Sequence, residues 1–213
     1  DVGCGAGAHF GLLLAAAGDA GQVVGIDLTP GHLEAARRQA ALPELAGRVR
    51  VQEADIRLPL PFADASFDAV WVSNVISPKT VASPPAFVRE MARVLRSGGV
   101  LGVFEAYVVR GVYLPGYPRL EHLIGVARDL KRAEASDYSR PEWHPECSRH
   151  WLLEAGLRDV RLDVELVTHQ APLEPAVYAQ LRDDVLKRHY DEVVQTHGRA
   201  AGMTDDDLAL WGR

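Results

Sequence analysis

A chain of 213 residues, 47% hydrophobic and 24% charged, can bury a sizeable core and is long enough for one α/β domain without requiring a second. Its 23 Lys and Arg are outnumbered by 29 Asp and Glu, which gives a formal net charge of -6. Because a nucleic-acid surface needs positive charge to displace counterions, this balance disfavours DNA and RNA as substrates, while leaving room for a local basic patch.

The two cysteines, Cys4 and Cys147, are far apart in the sequence and have neither the spacing of a metal site nor that of a disulfide framework. We therefore expect no metal, and we expect Cys4 to fill a small apolar position. No stretch is long and apolar enough to span a membrane, and the expected location is cytoplasmic. The chain lacks a starting Met and begins inside a motif, so the absence of a signal peptide carries little weight.

The chain opens with a glycine loop at residues 1–7, DVGCGAG, which leads into apolar residues at helical spacing. Three glycines at alternate positions let the backbone turn sharply and let a ligand contact the main chain itself. Free N–H groups at the start of a helix suit a carboxylate, a phosphate or a polar nucleoside. Gly3, Gly5 and Ala8 also fit the loose dinucleotide fingerprint, with Asp27 near the spacing of its ribose-binding acid. The loop predicts a ligand site but leaves the ligand open.

After the loop, the hydrophobic period alternates between that of a helix and that of a strand. Thr29-Pro30 and Ser83-Pro84 indicate helix starts, and Gly98 indicates a helix end. Strands joined through helices imply a parallel sheet with helices on both faces. The predicted elements, in chain order, are a helix at 10–18, a strand at 22–26, a helix at 30–40, strands at 48–53 and 67–73, a helix at 84–98 and a strand at 100–109.

The residues that follow each strand are the site candidates, because ligands bind at the carboxyl ends of the strands in such a sheet. Two aspartates, Asp27 and Asp55, follow buried strands in this way. The full set of candidates consists of the glycine loop, Asp27-Leu28, Asp55-Ile56, Ser73-Asn74-Val75-Ile76 and Glu105-Ala106-Tyr107.

Four segments, DVGCGAG, VVGIDLTP, EADIRLPLPFADASFDAVWVSNV and VLRSGGVLGVFE, stand in the order and spacing of a known family. They resemble the class I S-adenosylmethionine-dependent methyltransferases, most of all the type 11 branch that contains the menaquinone and ubiquinone biosynthesis enzymes. The resemblance covers about residues 1–107 and is more specific as a set than any single piece. It implies an α/β fold with a Rossmann-like, doubly wound, mostly parallel sheet. The acid two residues before the first glycine, LPFxDxSFD and LRxGG are not expected of a dehydrogenase.

The resemblance also implies a role for each candidate in binding S-adenosyl-L-methionine. Asp27 would accept both ribose hydroxyls, for which a carboxylate with two oxygens is suited. An aspartate after a strand often caps the next helix instead, but Thr29 is expected to fill that position. For Asp55 the alternative is a loop residue bonded to its own backbone. The other implied roles are Asp1 on the methionine amino group, Gly3, Gly5 and Gly7 beneath the cofactor, Asp55 on the adenine amino group, Leu28 and Ile56 against the ring, Ser73 and Asn74 beside the methionine end, and Asp64 and Asp68 as structural residues.

Residues 106–145 are expected to form a lid that shapes the acceptor pocket. Long irregular insertions in compact domains are usually functional or disordered, and the aromatic content argues against disorder. Within this segment, residues 119–133 predict a helix with one apolar side. The aromatic and imidazole candidates for the pocket are Tyr107, Tyr113, Tyr117, Tyr138, Trp143 and His144.

The remaining chain is assigned to the same domain, which we expect to span residues 1–213. Its parts would be a cofactor-binding core at 1–107, the lid at 106–145, and a sixth strand with C-terminal helices at 146–213. Residues 145–156 predict a helix and residues 158–168 the sixth strand. Further helices are predicted from Pro175 and from Thr204.

A sulfonium methyl group is already activated, so transfer to an acceptor is one in-line displacement that needs no strong base. If the acceptor is a hydroxyl or an acidic carbon, His9, His144 and Glu105 are the candidates to take its proton. The expected partner is a small or medium-sized organic acceptor, and O-, N- and C-methylation are not separated. Two alternatives stay open: a nicotinamide-dependent oxidoreductase, and a protein that binds S-adenosylmethionine without catalysis.

We also expect the chain to be a fragment of the implied fold. Only Val2 and the glycine loop represent the first strand, which is central in this family. The resemblance implies a seventh strand, antiparallel and inserted between the fifth and the sixth, yet everything after residue 168 predicts helix. A truncated first strand and a missing seventh would leave backbone edges open, so we expect a poorly soluble or weakly folded chain.

Overall fold

The computed structural model of the chain describes residues 1–77, 80–105, 114, 116–134, 147–165 and 167–212. The described residues divide into two compact units, the first made of 1–77, 80–105 and 147–162, the second of 114, 116–134, 163–165 and 167–212. In chain order the elements are α1 (Phe10–Ala17), β1 (Val23–Asp27), α2 (Pro30–Ala40), β2 (Val49–Glu53), β3 (Phe67–Ser73), α3 (Pro84–Val94), β4 (Leu95–Phe104), α4 (Pro118–Glu134), α5 (Ser148–Glu154), α6 (Pro175–Ala179), a π-helical stretch (Gln180–Asp191), α7 (Glu192–His197) and α8 (Asp205–Trp211).

The sheet of the first unit consists of two parallel strand pairs, β1 with β2 and β3 with β4. Val2 forms parallel bridges with Ile26 of β1 and Val72 of β3, so the opening residues lie between the two pairs. The resulting order β2, β1, Val2, β3, β4 confirms the predicted Rossmann-like, mostly parallel sheet, with the Val2 segment at its centre. In the first pair, Val23 lies opposite Val49 at one end and Asp27 lies opposite Glu53 at the other. In the second pair, the regular register runs from Ala69 opposite Val100 to Ser73 opposite Phe104.

Helices cover both faces of this sheet, as predicted. Because successive side chains of a strand point to opposite faces, Gly25 and Ile26 of β1 face different helices. Phe10 of α1 lies against Gly25 and is fully buried. On the Ile26 face, Phe87 and Met91 of α3 recur at helical spacing and are buried. The larger core of the unit lies on this second face, where Trp151 of α5 joins it.

An ionic network fastens the loop before β3 to α3. The carboxylate of Glu90 accepts from the Leu60 N–H at 2.7 Å. Arg93 donates to the carbonyls of Phe62 and Leu60 at 2.9 and 3.2 Å and to Asp64 at 2.7 Å. Asp64 therefore has the structural role that the sequence predicts for it.

The boundary between α3 and β4 differs from the sequence expectation. The helix ends at Val94 and the strand begins at Leu95, whereas the glycines predicted a helix that reaches Gly98. Leu95 pairs with Phe67, and the register then shifts before Ala69. This irregularity lets the backbone stay in the ladder while Gly98, at φ +80°, takes a left-handed conformation.

The predicted sixth strand is wrong. None of the described residues between 158 and 168 belongs to a strand. Leu162, Val164 and Val167 are 58%, 94% and 73% exposed. A strand is stable only when a neighbouring strand forms hydrogen bonds with it. For the predicted sixth strand, the resemblance implies that this neighbour is a seventh strand. Within the described residues, no strand follows β4. The expected poor solubility stays a prediction.

The second unit is helical and confirms the helices predicted at 119–133, from Pro175 and from Thr204. Its core joins α4, the π-helical stretch and α7. Thr204 caps α8 with a capping box, in which its hydroxyl accepts from Asp207 N and Asp207 accepts in return. The buried core residues are Leu120, Ile124, Tyr190, Val194 and Met203.

Candidate functional site

The glycine loop has one open position between two crowded ones. Gly3, Gly5 and Gly7 have φ of +70°, +54° and +84°, in the left-handed region that side chains rarely adopt. A Cβ added at Gly3 would lie 2.6 Å from Val75 Cγ2, and one at Gly7 would lie 2.4 Å from Phe10 Cε2. A Cβ at Gly5 would meet no atom within 4 Å. Packing therefore requires the outer two glycines, while the middle one borders open space.

Asp27, at the carboxyl end of β1, connects the glycine loop to the start of α2. Its Oδ2 accepts from Gly5 N at 2.9 Å and its Oδ1 accepts from Thr29 N at 2.8 Å. Burial acts to raise the pKa of Asp27, but the N–H groups of Thr29 and Gly5 and the nearby His32 outweigh it and hold the pKa below its ordinary value. A carboxylate offers about four acceptor sites. Oδ2 keeps one of them for a ligand hydroxyl, whereas Oδ1 also has His32 Nδ1 at 3.4 Å.

Thr29 does not cap α2 in the expected way. It stands at the N-cap position before Pro30, but its side chain makes no capping hydrogen bond. Asp27 instead accepts the N–H of Thr29 itself, which fixes the turn into α2 but satisfies no N–H group of the first helical turn. Any contact from Asp27 to a ribose is therefore additional to this role rather than an alternative to it.

Asp1 has a buried acceptor that no described residue satisfies. Its main-chain oxygen accepts from Ile26 N at 2.9 Å, which places the residue at the end of the first strand. The side-chain Oδ2 is buried and has no hydrogen-bond partner among the described residues. Since such groups are rare and costly, Oδ2 is a plausible receptor for an N–H donor of a ligand.

Asp55 is fully engaged by Arg57. Its Oδ1 accepts from Arg57 N and Nε, both at 2.9 Å, and its Oδ2 accepts from Nε and Nη2 at 3.1 and 2.7 Å. The guanidinium lowers the pKa of Asp55 to about 2. The alternative of a loop residue bonded to its own backbone is thus realised. An adenine amino group would have to displace part of the Arg57 contact.

The loop between β3 and α3 is held by Glu105, which follows β4. Asn74 has φ +54° and its N–H donates to Phe104 O at 2.9 Å. The next two N–H groups, of Val75 and Ile76, donate to Glu105 Oε1 at 3.1 and 3.0 Å. Burial raises the pKa of Glu105, and these two N–H groups oppose that shift.

Two of the three candidate bases lie within the described residues. His9 precedes α1, and its ring meets Trp71 edge to face with centroids 5.7 Å apart. Glu105 accepts the loop N–H groups described above. His144 lies outside the described residues, so its role stays a prediction. Half of the predicted lid also lies outside them, including Tyr107, Tyr113, Tyr138 and Trp143. Tyr117, just before α4 in the second unit, is 51% exposed.

The structure thus gathers most of the predicted binding residues at one edge of the first unit. Asp27 accepts from Gly5, Gly3 lies under Val75, and Ala54 N donates to Asp27 O at 3.0 Å, so the β2 loop begins beside Asp27. Leu28 is 43% exposed there. Ile56, Ser73 and Asn74 follow the ends of β2 and β3, but their cofactor contacts stay predictions.

Sequence reasoning left Arg57 out of the site and gave Val75 no role of its own. The signal for Arg57 was its position two residues after Asp55, where a side chain can return to the same carboxylate. The signal for Val75 was an apolar residue two positions after the end of β3. Its close contact with Gly3 could not be predicted, because Gly3 lies in a distant part of the sequence.

The described parts of the chain contain neither a candidate metal cluster nor a candidate membrane span. No three His, Cys, Asp or Glu side chains in those parts converge as a metal would require. No helix in them is long and apolar enough to cross a membrane.

Comparisons with known proteins agree with the fold. Residues 1–103 match the family described as a methyltransferase domain. The demethylmenaquinone methyltransferase of Symbiobacterium thermophilum is 35% identical over 106 residues, which are 50% of this chain and 41% of that protein. The 27-O-demethylrifamycin SV methyltransferase of Amycolatopsis mediterranei is 35% identical over 184 residues, covering 76% of this chain and 64% of that protein.

Among solved structures, the YcgJ protein of Bacillus subtilis is 19% identical, with a TM-score of 0.54 over 99% of this chain and 79% of that one, which shows a shared fold. The first unit therefore has a Rossmann-like fold. Residues 1–103, just under half of the chain, match the type 11 methyltransferase-domain family, which confirms the resemblance seen in the sequence. The chain spans about half of the length of the curated relatives that it matches.

Proposed function

We propose that this chain transfers the methyl group of S-adenosyl-L-methionine to a small or medium-sized organic acceptor. The observation that carries the proposal is the match of residues 1–103 to a methyltransferase domain, since the glycine loop, Asp27 and Asp55 all lie within it. The relatives named above methylate acceptors that their names describe as demethylmenaquinone and 27-O-demethylrifamycin SV. Organic acceptors of that size are proposed for this chain by analogy.

The described residues fit the cofactor at three points. The unsatisfied Oδ2 of Asp1 suits the ammonium of the methionine half. The open space at Gly5 allows a ligand to lie on the backbone. Asp27, 9% exposed, keeps an acceptor site on Oδ2 for one ribose hydroxyl, and a second hydroxyl at Oδ1 would replace the contact with His32. Asp55 is proposed for the adenine amino group, at the cost of part of its Arg57 contact.

When bound, the cofactor supplies an activated methyl group on sulfur. The residues of this chain then have to orient the cofactor and the acceptor and to exclude water. Asp27 and the glycine loop fix the orientation, because their mutual hydrogen bond makes the binding surface rigid before a ligand arrives. His9 and His144 stay candidates for accepting a proton from the acceptor. A single domain, a cytoplasmic location and the absence of a nucleic-acid substrate also stay predictions.

Calorimetry tests the cofactor, and turnover with labelled cofactor tests catalysis. We expect heat from S-adenosylmethionine and S-adenosylhomocysteine, and none from NAD or NADP. Demethylmenaquinone and 27-O-demethylrifamycin SV are the first acceptors to try. Binding of NAD alone would favour an oxidoreductase, and tight cofactor binding without turnover on any acceptor would favour a non-catalytic binding protein.

Asp27→Ala should weaken S-adenosylhomocysteine binding by about 1 to 3 kcal/mol, because charge-assisted hydrogen bonds to the ribose are lost. Asp27→Asn is the companion variant, since it keeps one oxygen acceptor and reduces the risk of misfolding. Asp19→Ala, an exposed acid near the end of α1, is the matched control and should bind normally. Wild-type affinity in Asp27→Ala would remove the residue from the site.

A further inference from the structure

Glu105 links the carboxyl ends of β3 and β4. Methyl transfer does not by itself require such a link. It follows β4, and its Oε1 accepts from the N–H groups of Val75 and Ile76, in the loop that follows β3. One carboxylate oxygen therefore fixes two consecutive peptide groups of a loop 29 to 30 residues earlier in the chain. Charge-assisted hydrogen bonds of this kind are stronger than neutral ones, so the contact sets the path of the loop.

The backbone just before these peptides is bent in a way that aims them at Glu105. Asn74 N donates to Phe104 O, the last contact of the strand ladder. Asn74 itself has φ +54°, a conformation uncommon outside glycine. The chain thus leaves the sheet with a sharp turn, and its next two donors are part-buried. Without the Glu105 carboxylate they would lose an acceptor where water reaches them poorly.

The loop held in this way supports the glycine loop from below. Val75 is 5% exposed, and a Cβ at Gly3 would lie 2.6 Å from its Cγ2. The two loops are therefore in close contact, and a displacement of Val75 would displace Gly3. Gly3 is two residues from Asp1, whose Oδ2 is the proposed receptor for the cofactor ammonium.

The order of the strands in the sheet indicates which half of the cofactor lies near the contact between Glu105 and the loop after β3. Asp27 and Asp55, proposed for the adenosine half, follow β1 and β2 on one side of the Val2 segment. The loop after β3 and Glu105 lie on the other side. The Glu105 contact therefore borders the half of the site that holds an amino-acid group rather than a nucleoside.

We infer that Glu105 is a positioning residue that holds Val75 against Gly3 and so shapes the pocket for the amino-acid half of the cofactor. This inference rests on the proposed function, and it replaces the expectation that Glu105 acts as the base. The carboxylate serves as a fixed acceptor, and no proton transfer through it is required.

The test compares two ligands that differ in that half, S-adenosylhomocysteine and 5′-methylthioadenosine, by calorimetry on the whole chain. Glu105→Ala should weaken S-adenosylhomocysteine by about tenfold, as expected for lost charged hydrogen bonds, while 5′-methylthioadenosine changes less than about twofold. Glu105→Gln keeps an acceptor oxygen and should retain most of the affinity. Glu34→Gln, on the exposed face of α2, is the control.

Each other outcome overturns the inference. Unchanged S-adenosylhomocysteine affinity in both variants refutes it, and a loss of kcat alone would return Glu105 to the role of a base. Equal losses for both ligands would show a general structural role. If Glu105→Ala does not fold, Glu105→Asp decides, since it keeps the charge but shortens the reach and should lose S-adenosylhomocysteine selectively. A wild-type chain that binds no S-adenosylhomocysteine refutes the proposed function as well.

Discussion

Gly7→Ala should destabilise the chain strongly because the substitution fails in two ways at once. At φ +84° an L-residue has about 1 to 2 kcal/mol of backbone strain. Its Cβ would also lie 2.4 and 2.7 Å from two ring carbons of Phe10, where carbon atoms prefer about 3.5 to 4.0 Å. Phe10 is fully buried and has no free space to move into. Such overpacking costs about 1 to 3 kcal/mol.

The expected loss is about 1 to 5 kcal/mol in the free energy of unfolding, after about 0.4 to 1 kcal/mol is returned because alanine restricts the unfolded chain. Gly5→Ala is the matched control. It has the same backbone strain at φ +54°, but its Cβ meets no atom within 4 Å, so the net loss should be about 1 kcal/mol. Its effect should fall on the ligand instead, with S-adenosylhomocysteine weakened by about tenfold, or ~1.4 kcal/mol.

Urea unfolding followed by tryptophan fluorescence measures the first effect, and calorimetry measures the second. If Gly7→Ala and Gly5→Ala proved equally stable, the packing argument at Phe10 would be refuted. If Gly5→Ala bound S-adenosylhomocysteine as well as the wild type, the open space at Gly5 would have no part in binding.

Arg93→Met should lower the urea midpoint clearly more than Arg96→Met. The reason is that Arg93 donates to two loop carbonyls, whereas the ion pair from Arg96 to Asp68 is largely exposed. Equal midpoints for the two variants would contradict this reasoning. Arg57→Ala should return the pKa of Asp55 from about 2 toward 3.8, which NMR of the side-chain carboxyl carbon would measure. If the pKa stays near 2, a group other than Arg57 lowers it. Because that pKa is depressed by folding, wild-type Asp55 contributes stability above about pH 3.8 that is lost as the pH falls to about 2, and Arg57→Ala should lose this part of the acid dependence.

The parts of the fold that depend on local sequence were predictable. Thr29-Pro30 located α2, and the alternation of strands and helices located the parallel pairs and hence the edge where Asp27 lies. Because ligands bind at the carboxyl ends of the strands in such a sheet, the candidate residues could be named without knowledge of their contacts. What it could not provide was the partner of each side chain, as at Asp55, where the choice between Arg57 and a ligand depends on side-chain conformation.

The failures share a physical cause, which is dependence on a distant neighbour. Residues 158–168 have the apolar pattern of a strand, but a strand is stable only when another backbone pairs with it. The early start of β4 depends on Leu95 meeting Phe67, 28 residues earlier, across an irregular register. The role of Glu105 depends likewise on two N–H groups in a separate loop.

The central place of Val2 has a consequence for synthesis on the ribosome. Val2 pairs with both Ile26 and Val72, so its second neighbour is made 70 residues after it. At about 5 to 20 residues per second, that interval lasts roughly 4 to 14 seconds. During this time β1 and β2 can pair, but Val2 has a neighbour on one side only, and its other side is open to strands of other chains. The backbone beside Val2 lies inside the finished sheet, but for several seconds during synthesis it is an unpaired strand edge.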